Sequence, residues 1–185
     1  MSGAPRPGDG PPPGAGGGLL PAERKVRDEL GALPLDFRAM WAISNLFRSS
    51  TAIRRHMEAR VLGPYRMSWT SFVGLWVLWV WGEMEARGFA AAVGISRPTA
   101  TGVMTTLESR GYVTRRKDPR DGRMVIVELT PKGRELFERS VGAQATKETF
   151  VASALNETER KQLNKLLRRM VLRAEQATSA PAKIS

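Results

Sequence analysis

The chain has no cysteine and a single histidine, His56. Without cysteine it can form no disulfide, no thiolate metal site, no thiol redox sensor and no Cys/His catalytic pair. One histidine gives little basis for a Ser/His/Asp triad, and no spacing in the sequence brings Glu58, Glu83 or Glu85 to His56 as metal ligands. No glycine-rich loop joins a strand to a helix as a phosphate-binding loop would. We therefore expect no enzyme activity, no metal and no cofactor.

Long apolar runs are missing as well. The nearest candidate, residues 72–81, has ten residues and contains a glycine, so we interpret it as a core helix. A membrane-spanning helix would need roughly 18 consecutive apolar residues. The first 18 residues hold five prolines and seven glycines where a secretory signal would have an apolar segment. This composition predicts disorder, and a cytoplasmic protein without a membrane partner is the default expectation.

Acidic residues are outnumbered by basic ones. The 29 Lys and Arg face 18 Asp and Glu, which gives a formal net charge of +11. This surplus indicates a polyanionic partner, for which nucleic acid is the first candidate and an acidic membrane surface the second. The 185 residues can hold one domain with a sizeable core, or one core and a dimerisation lobe.

The stretch from Ser96 to Thr130 predicts a helix, a strand, a basic turn and a second strand. Ser96 is a suitable helix N-cap and Gly111 a suitable stop. The buried stripe should consist of residues at i, i+3, i+4 and i+7: Ala100, Val103, Met104 and Leu107. The opposite face is small, hydroxylated and almost free of acid, as a helix in the major groove of DNA requires. Its candidate DNA-binding residues are Ser96, Arg97, Pro98, Thr99, Thr101, Gly102, Thr105 and Thr106.

The strands predicted at residues 112–117 and 124–129 are joined by the turn sequence DPRDGR. The second strand should place Val125, Val127 and Leu129 on one face. Such a basic hairpin can be a solvated tip that protects a sheet edge, or it can contact nucleic acid. Because it directly follows the hydroxylated helix, we favour contact with DNA. The candidate residues are Arg115, Arg116, Lys117, Arg120, Asp121 and Arg123.

Residues 94–137 resemble the winged helix-turn-helix core of the MarR (multiple antibiotic resistance regulator) family. The motifs that carry the resemblance are SRPT at the helix opening, LESRGYV at the helix exit, DPRDGR in the wing and LTPKG after the second strand. The likeness extends more weakly from about Leu33 to Ala177. The segment EARGFAAAVG departs from the family pattern through Arg87 and Gly88, which affects where the first helix of the motif begins.

The flanking segments predict a partner for the chain. Residues 34–62 form a long predicted helix whose apolar belt is wider than one stripe and needs cover from two directions. After a helix from Pro131 to about Ala154, the pair Asn156 and Glu159 should cap an amphipathic, basic helix. That helix could bind a membrane surface, but a dimer helix with a solvated flank is the more common case. We therefore expect a homodimer.

The expected fold is mostly α (α+β), a winged helix-turn-helix whose N- and C-terminal helices form a dimerisation lobe. We assign residues 1–32 to a disordered Gly/Pro-rich extension, although residues 19–31 could form a short helix or arm. The dimerisation helices should cover about 33–62 and 131–177, and the winged helix-turn-helix about 68–130. A flexible tail should follow at 178–185.

The tryptophans leave two interpretations open. Four of the five lie between Trp69 and Trp81, and most of them can fill the core under the first long helix. The resemblance implies instead that some line a pocket for a small apolar or aromatic effector, between the dimerisation helices and the DNA-binding lobe. The residues of such a pocket would be Phe37, Trp41, His56, Trp69, Phe72 and Trp76.

The resemblance implies a sequence-specific transcriptional regulator, a ligand-responsive repressor that binds a pseudo-palindromic operator as a homodimer. By similarity, Arg123 enters the minor groove with Asp121 as its orienting partner, and Arg120 is the alternative insert. We assign base contacts to Arg97, Pro98, Thr99, Thr101 and Thr105. The phosphate contacts would come from Ser96, Thr106, Arg115, Arg116 and Lys117. The alternatives are an architectural or protein-interaction module with little sequence selectivity, and a peripheral membrane protein.

Overall fold

The computed structural model describes residues 18 to 179. The helices within that range are α1 (Pro21–Leu30), α2 (Phe37–Met57), α3 (Trp69–Trp81), α4 (Ala86–Val93), α5 (Arg97–Ser109), α6 (Pro131–Ala152) and α7 (Glu157–Ser179). The strands β1 (Met84–Glu85), β2 (Val113–Lys117) and β3 (Val125–Leu129) form an antiparallel sheet in the order β1-β3-β2. Helices α4 and α5 are joined by a short turn at residues 94–96 and are followed directly by the β2–β3 hairpin, which is the arrangement of a winged helix-turn-helix. The predicted fold class is confirmed.

The chain forms two compact units, which divide within α6. The larger unit runs to Lys147, and the described part of the other unit comprises residues 148–179. No helix within residues 18–179 is long and apolar enough to cross a membrane.

The core of the larger unit is built around α3. Phe72, Leu75 and Leu78 of this helix are fully buried. The Phe72 ring stacks on Phe137 of α6, with ring centroids 5.6 Å apart. The core also contains Phe89, Ala100, Met104, Leu107, Val113, Val127 and Leu136. The buried stripe predicted for α5 is confirmed at Ala100, Met104 and Leu107, Val103 is partly buried, and the other face of α5 lies outward.

Three hydroxyl N-caps begin α3, α5 and α6, and the one at Ser96 was predicted. The hydroxyls of Ser68, Ser96 and Thr130 each accept a hydrogen bond from the backbone N–H three residues on, at 3.1, 3.3 and 3.0 Å. The start of α6 then packs tightly against the hairpin, since a Cβ added at Gly133 would lie 1.9 Å from the carbonyl oxygen of Tyr112. Only glycine fits at that position.

The hairpin differs from the prediction at one strand face. The two strands pair from Val113 opposite Leu129 to Lys117 opposite Val125. Val127 is fully buried as predicted, but Val125 is exposed. Val125 faces Lys117 at the end of the hairpin next to the turn, where the core no longer extends. The adjacent Ile126 is buried on the other face instead.

The N-terminal boundary is a second difference. Residues 1–17 lie outside the described range, but Pro21–Leu30 form α1 rather than part of a disordered extension. The Glu23 carboxylate holds this helix, because it accepts hydrogen bonds from the backbone N–H of Leu20 and the side-chain amide of Asn45, both at 2.6 Å. The Asn45 contact joins α1 to α2 across 22 residues of sequence.

Two further boundaries differ from the sequence prediction. The long helix predicted to reach residue 62 is α-helical only to Met57, and it continues as a π-helical turn at Glu58–Leu62 and a 3-10 turn at Gly63–Tyr65. At the other end α7 includes Thr178 and Ser179, which were assigned to a flexible tail. The remaining tail residues, 180–185, lie outside the described range.

The second unit contains α7 with the predicted capping pair. The backbone N–H of Asn156 donates to the Glu159 carboxylate at 2.8 Å, and the backbone N–H of Glu159 donates to the Asn156 side chain at 3.0 Å. This reciprocal pair is a capping box. The apolar residues of α7 are not covered within the unit: Leu163, Leu166, Val171 and Leu172 are all exposed.

Candidate nucleic-acid interface

The outward face of α5 is small and polar. Ser96 and the α5 residues Arg97, Pro98, Thr99, Thr101, Gly102, Thr105 and Thr106 are all exposed. The acidic residue of α5, Glu108, is at the far end and is engaged by the hairpin. The face therefore has the low bulk and the positive charge that close approach to DNA requires.

Most hydroxyls on this face already have a partner within the helix. The Thr101 hydroxyl donates to the carbonyl oxygen of Arg97 at 3.0 Å, and the Thr106 hydroxyl donates to that of Gly102 at 2.9 Å. These bonds restrict the side-chain rotamers of both threonines. In the part of the chain that the structure describes, Thr105 makes no such bond, so its hydroxyl is available to donate and to accept.

The cations of the interface divide into paired and unpaired groups. Within residues 18–179, Arg97, Lys117, Arg120 and Arg123 have no ion-pair partner, and all are exposed. Their charges are open to a polyanion. Arg115 and Arg116 are engaged differently.

Arg115 connects the hairpin to α5. Its guanidinium donates to the Glu108 carboxylate through Nε at 2.8 Å and through a second, shorter contact, and its backbone N–H donates to the same carboxylate at 3.2 Å. The hydrogen bond from Arg115 lowers the pKa of Glu108 below its ordinary value. Arg115 was predicted to contact the DNA backbone, but its donors turn towards α5.

Arg116 connects three elements in the same way. Its guanidinium lies 2.6 Å from the Glu83 carboxylate, which precedes β1, and 3.6 Å from Glu128 of β3. The hydrogen bond that Arg116 donates to Glu83 raises the pKa of Arg116. Arg115 and Arg116 therefore fix the base of the wing, and Lys117 is the one member of this basic triplet without an ion pair in the described range.

The two aspartates of the wing turn accept hydrogen bonds from backbone N–H groups. Asp121 was expected to orient the Arg123 guanidinium, but its carboxylate accepts from the backbone N–H of Arg123 at 3.0 Å. Asp118 accepts from the backbone N–H of Arg120 at 2.6 Å in the same manner. Both aspartates shape the turn, and the two guanidiniums remain unpaired within the described residues.

A cavity beside α5 was missed by the sequence reasoning. Its volume is about 490 Å³, and it lies between α5 and the segment that leads into α3. Its polar lining comes from Arg66, Ser68, Ser71, Thr99, Thr106 and Arg110. The sequence shows Arg66 two residues before the N-cap Ser68. No local sequence pattern, however, predicts that this segment lies next to α5.

The residues predicted to line an effector pocket differ in their burial and in their neighbours. Phe37 and Trp41 pair on α2 with ring centroids 5.9 Å apart, and Trp69 pairs with Phe72 on α3 at 5.8 Å. Phe72 is fully buried against Phe137, so it is a core residue rather than an available pocket wall. His56 is partly buried, whereas Trp76 is exposed.

Two buried polar atoms of α2 have no hydrogen-bond partner in the described part of the chain. The indole N–H of Trp41 is buried and makes no hydrogen bond within the described residues, and the same holds for the side-chain oxygen of Asn45 one turn later on α2. Between residues 18 and 179, no group of three or more His, Asp or Glu side chains is placed to hold a metal ion.

The sequence profile of the MarR family matches residues 67 to 125. YwaE of Bacillus subtilis (strain 168), an uncharacterised HTH-type transcriptional regulator, is 36% identical over 155 residues, or 82% of this chain and 91% of YwaE. BpsR of Bordetella bronchiseptica, whose DNA binding is regulated by 6-hydroxynicotinic acid, is 28% identical, with a TM-score of 0.64 over 70% of this chain and 98% of BpsR. The repressor CouR, bound to a 23-mer DNA duplex, is 26% identical, with a TM-score of 0.65 over 69% of this chain and 89% of CouR. Together with the winged helix-turn-helix and its motifs, these likenesses show that the chain belongs to the MarR family of transcriptional regulators.

Proposed function

We propose that the chain is a sequence-specific, ligand-responsive repressor that binds a pseudo-palindromic operator as a cytoplasmic homodimer. The observation that carries this proposal is the exposed, acid-free face of α5 with the unpaired guanidinium of Arg97 at its start. The duplex-bound repressor CouR, which has the same fold, supports it.

The base contacts are assigned to the exposed face of α5. Arg97 can fork onto a guanine, and the residues beside it offer small apolar or hydroxyl contacts to base edges. These residues are Pro98, Thr99, Thr101 and Thr105. Ser96, at the entrance of α5, and Thr106 are assigned to phosphates. Thr106 would exchange its hydrogen bond to the carbonyl oxygen of Gly102 for one to a phosphate oxygen.

In the wing, we assign DNA contacts to the basic residues that have no ion-pair partner within the described residues. Arg123, with Arg120 as the alternative, would enter the minor groove, and Lys117 would contact the backbone. Arg115 and Arg116 have carboxylate partners that fix them to α5, to the residue before β1 and to β3. We therefore assign these two arginines a positioning role in place of the DNA contact first expected.

The homodimer is supported by two uncovered apolar faces. Helix α2 exposes Met40, Ile43, Leu46 and Phe47, and α7 exposes the leucine and valine residues described above. Faces of this kind on a soluble regulator need a partner surface. A second copy of the chain would cover them and would place two reading helices about one DNA turn, roughly 34 Å, apart.

The effector is proposed to be a small aromatic compound with a hydrogen-bonding group. The buried, unpartnered indole N–H of Trp41 can donate to such a group, and the regulation of BpsR by 6-hydroxynicotinic acid gives an example in a relative. Binding would favour a spacing of the reading helices that fits only one half-site. Titration with hydroxylated aromatic acids should change the intrinsic tryptophan fluorescence, and an unchanged spectrum across such a panel contradicts this part of the proposal.

A competition assay separates this function from an architectural role. Duplexes retained from genomic DNA are labelled and competed with scrambled duplexes of equal length and composition at near-physiological salt. A specific regulator should prefer the retained duplex by roughly a thousandfold or more. Tight, salt-dependent binding with a ratio near one would instead favour the architectural module, which the surplus of basic residues alone could support.

A further inference from the structure

We propose that the cavity beside α5 receives a phosphate group of the DNA backbone and that Arg66 is a backbone contact. This inference rests on the proposed DNA binding and extends it to a site outside α5 and the wing. A free phosphate ion and a DNA phosphodiester both present a tetrahedral phosphate. The occupant proposed here is the phosphodiester that flanks the groove that α5 would enter.

The cavity adjoins the surface that would face DNA. One wall is formed by Thr99, Gly102 and Thr106, which share a face of α5, and the opposite wall by Arg66 and Ser68. All five residues are exposed, so the cavity is open to solvent along α5. A helix that lies in the major groove has phosphates along both sides. A phosphate on this side would therefore lie at the opening of the cavity.

The lining carries positive charge without any acid. Two guanidiniums, those of Arg66 and Arg110, contribute to it, and none of its lining residues is Asp or Glu. Arg110 is fixed in place, since one of its terminal nitrogens donates to the carbonyl oxygens of Tyr65 and Arg66 at 3.2 and 2.7 Å. Arg66 has no ion-pair partner within residues 18–179, so it is free to turn towards an anion.

The space suits a phosphate better than a single water. A volume of about 490 Å³ is many times the roughly 30 Å³ that one water occupies in the liquid. The α5 wall is also recessed, because a Cβ added at Gly102 would meet no atom within 4 Å. A phosphodiester can therefore approach the helix without displacing protein atoms.

The first arm of the test compares two charge removals in full-length protein. Arg66→Gln takes one cation from the cavity. Arg60→Gln takes one from an exposed position six residues earlier that does not line the cavity. Arg66→Gln should weaken specific and scrambled duplexes alike and reduce the slope of log Kd against log salt by about one unit. Arg66→Lys should restore most of the slope, and thermal unfolding of all variants checks that the fold is intact.

The second arm identifies the phosphate. Operator duplexes that carry a single neutral methylphosphonate, moved one position at a time, are bound to wild type and to Arg66→Gln. One position in each half-site should weaken wild type several-fold and leave Arg66→Gln unchanged. Inorganic phosphate, added at constant ionic strength, tests whether the cavity instead holds a free phosphate ion. It should reduce DNA binding by the two proteins equally.

The outcomes distinguish this inference from the proposed function. If Arg66→Gln resembles Arg60→Gln in slope, or if every methylphosphonate affects both proteins equally, the backbone contact is wrong. If inorganic phosphate competes with wild type but not with Arg66→Gln, the cavity holds a free phosphate instead. In either case the wild-type preference for the operator would persist. Loss of that preference would contradict the proposed function itself.

Discussion

At the scale of single residues, Arg97 and Lys117 have the same charge but occupy different positions. Arg97 begins the exposed face of α5, and Lys117 ends β2 opposite Val125. Arg97→Gln should cost on the order of 1 to 3 kcal/mol with the operator and relax sequence preference. Lys117→Gln should weaken all duplexes alike and lower the salt slope by about one unit. Binding titrations at four salt concentrations measure both effects. Parallel losses on specific and scrambled duplexes in both variants would remove Arg97 from the base contacts.

Gly102 gives a second residue-scale prediction, in which stability and binding move in opposite directions. Alanine at this exposed helical position meets no atom within 4 Å, so Gly102→Ala should stabilise the free protein by up to about 1 kcal/mol. The added methyl should also weaken operator binding, because it occupies the recess that DNA would approach. Thermal unfolding and duplex titration provide the two readings. Increased stability with unchanged affinity would mean that DNA does not approach α5 there.

At the scale of elements, the ion pair of Glu108 with Arg115 sets the wing against α5. The pKa of Glu108 is lowered in the folded protein, so the pair stabilises the fold above the ordinary carboxyl pKa of about 4.3. That contribution is lost as the pH falls through the lowered value. Glu108→Gln should therefore make the free energy of unfolding fall less steeply below about pH 4.5.

Urea titrations at several pH values between about 3 and 6 measure this difference, since each gives a free energy of unfolding. The matched control is Glu157→Gln, which removes a fully solvated pair with Lys161 on α7. Exposed pairs of that kind contribute little. Equal pH profiles for wild type and Glu108→Gln would show that the wing is not held by this pair.

The elements that the sequence predicted well are those set by short-range signals. Ser96 and Thr130 act on backbone groups three residues away, so α5 and α6 begin where expected. Helix α1 begins with a local hydrogen bond from Leu20 to Glu23, but its attachment to α2 depends on the contact of Glu23 with Asn45, 22 residues distant, which no local pattern contains. Strand β1 is only two residues long and exists through its pairing with β3. Both depend on the folded arrangement.

The same division holds for the candidate site. Periodicity placed the exposed face of α5 correctly, because a buried stripe fixes the opposite side. It could not show that Arg115 and Arg116 meet Glu108 and Glu83, since those pairings join separate elements. The cavity at Arg66 was hidden for the same reason. The sequence therefore predicted which basic residues lie at the candidate site. Only the structure showed which of them are already engaged in ion pairs.

At the scale of the whole molecule, the homodimer gives the next prediction. Phe47 of α2 is 68% exposed, and Phe47→Glu should shift sedimentation from dimer to monomer because it places a charge in an apolar interface. The matched control is Trp81→Glu at the end of α3, where the side chain is 66% exposed outside the proposed interface. A Phe47→Glu protein that remains dimeric would exclude this face of α2 from the interface.

Sequence-specific recognition by two copies of α5 is the central claim, and selection from a randomised duplex pool tests it most directly. The purified full-length protein is incubated with the pool at near-physiological salt, and the retained duplexes are sequenced. Two copies of α5 related by a two-fold axis should select a symmetric motif with half-sites about 10 base pairs apart, centre to centre. Strong retention without any motif would contradict it and would assign the chain an architectural role.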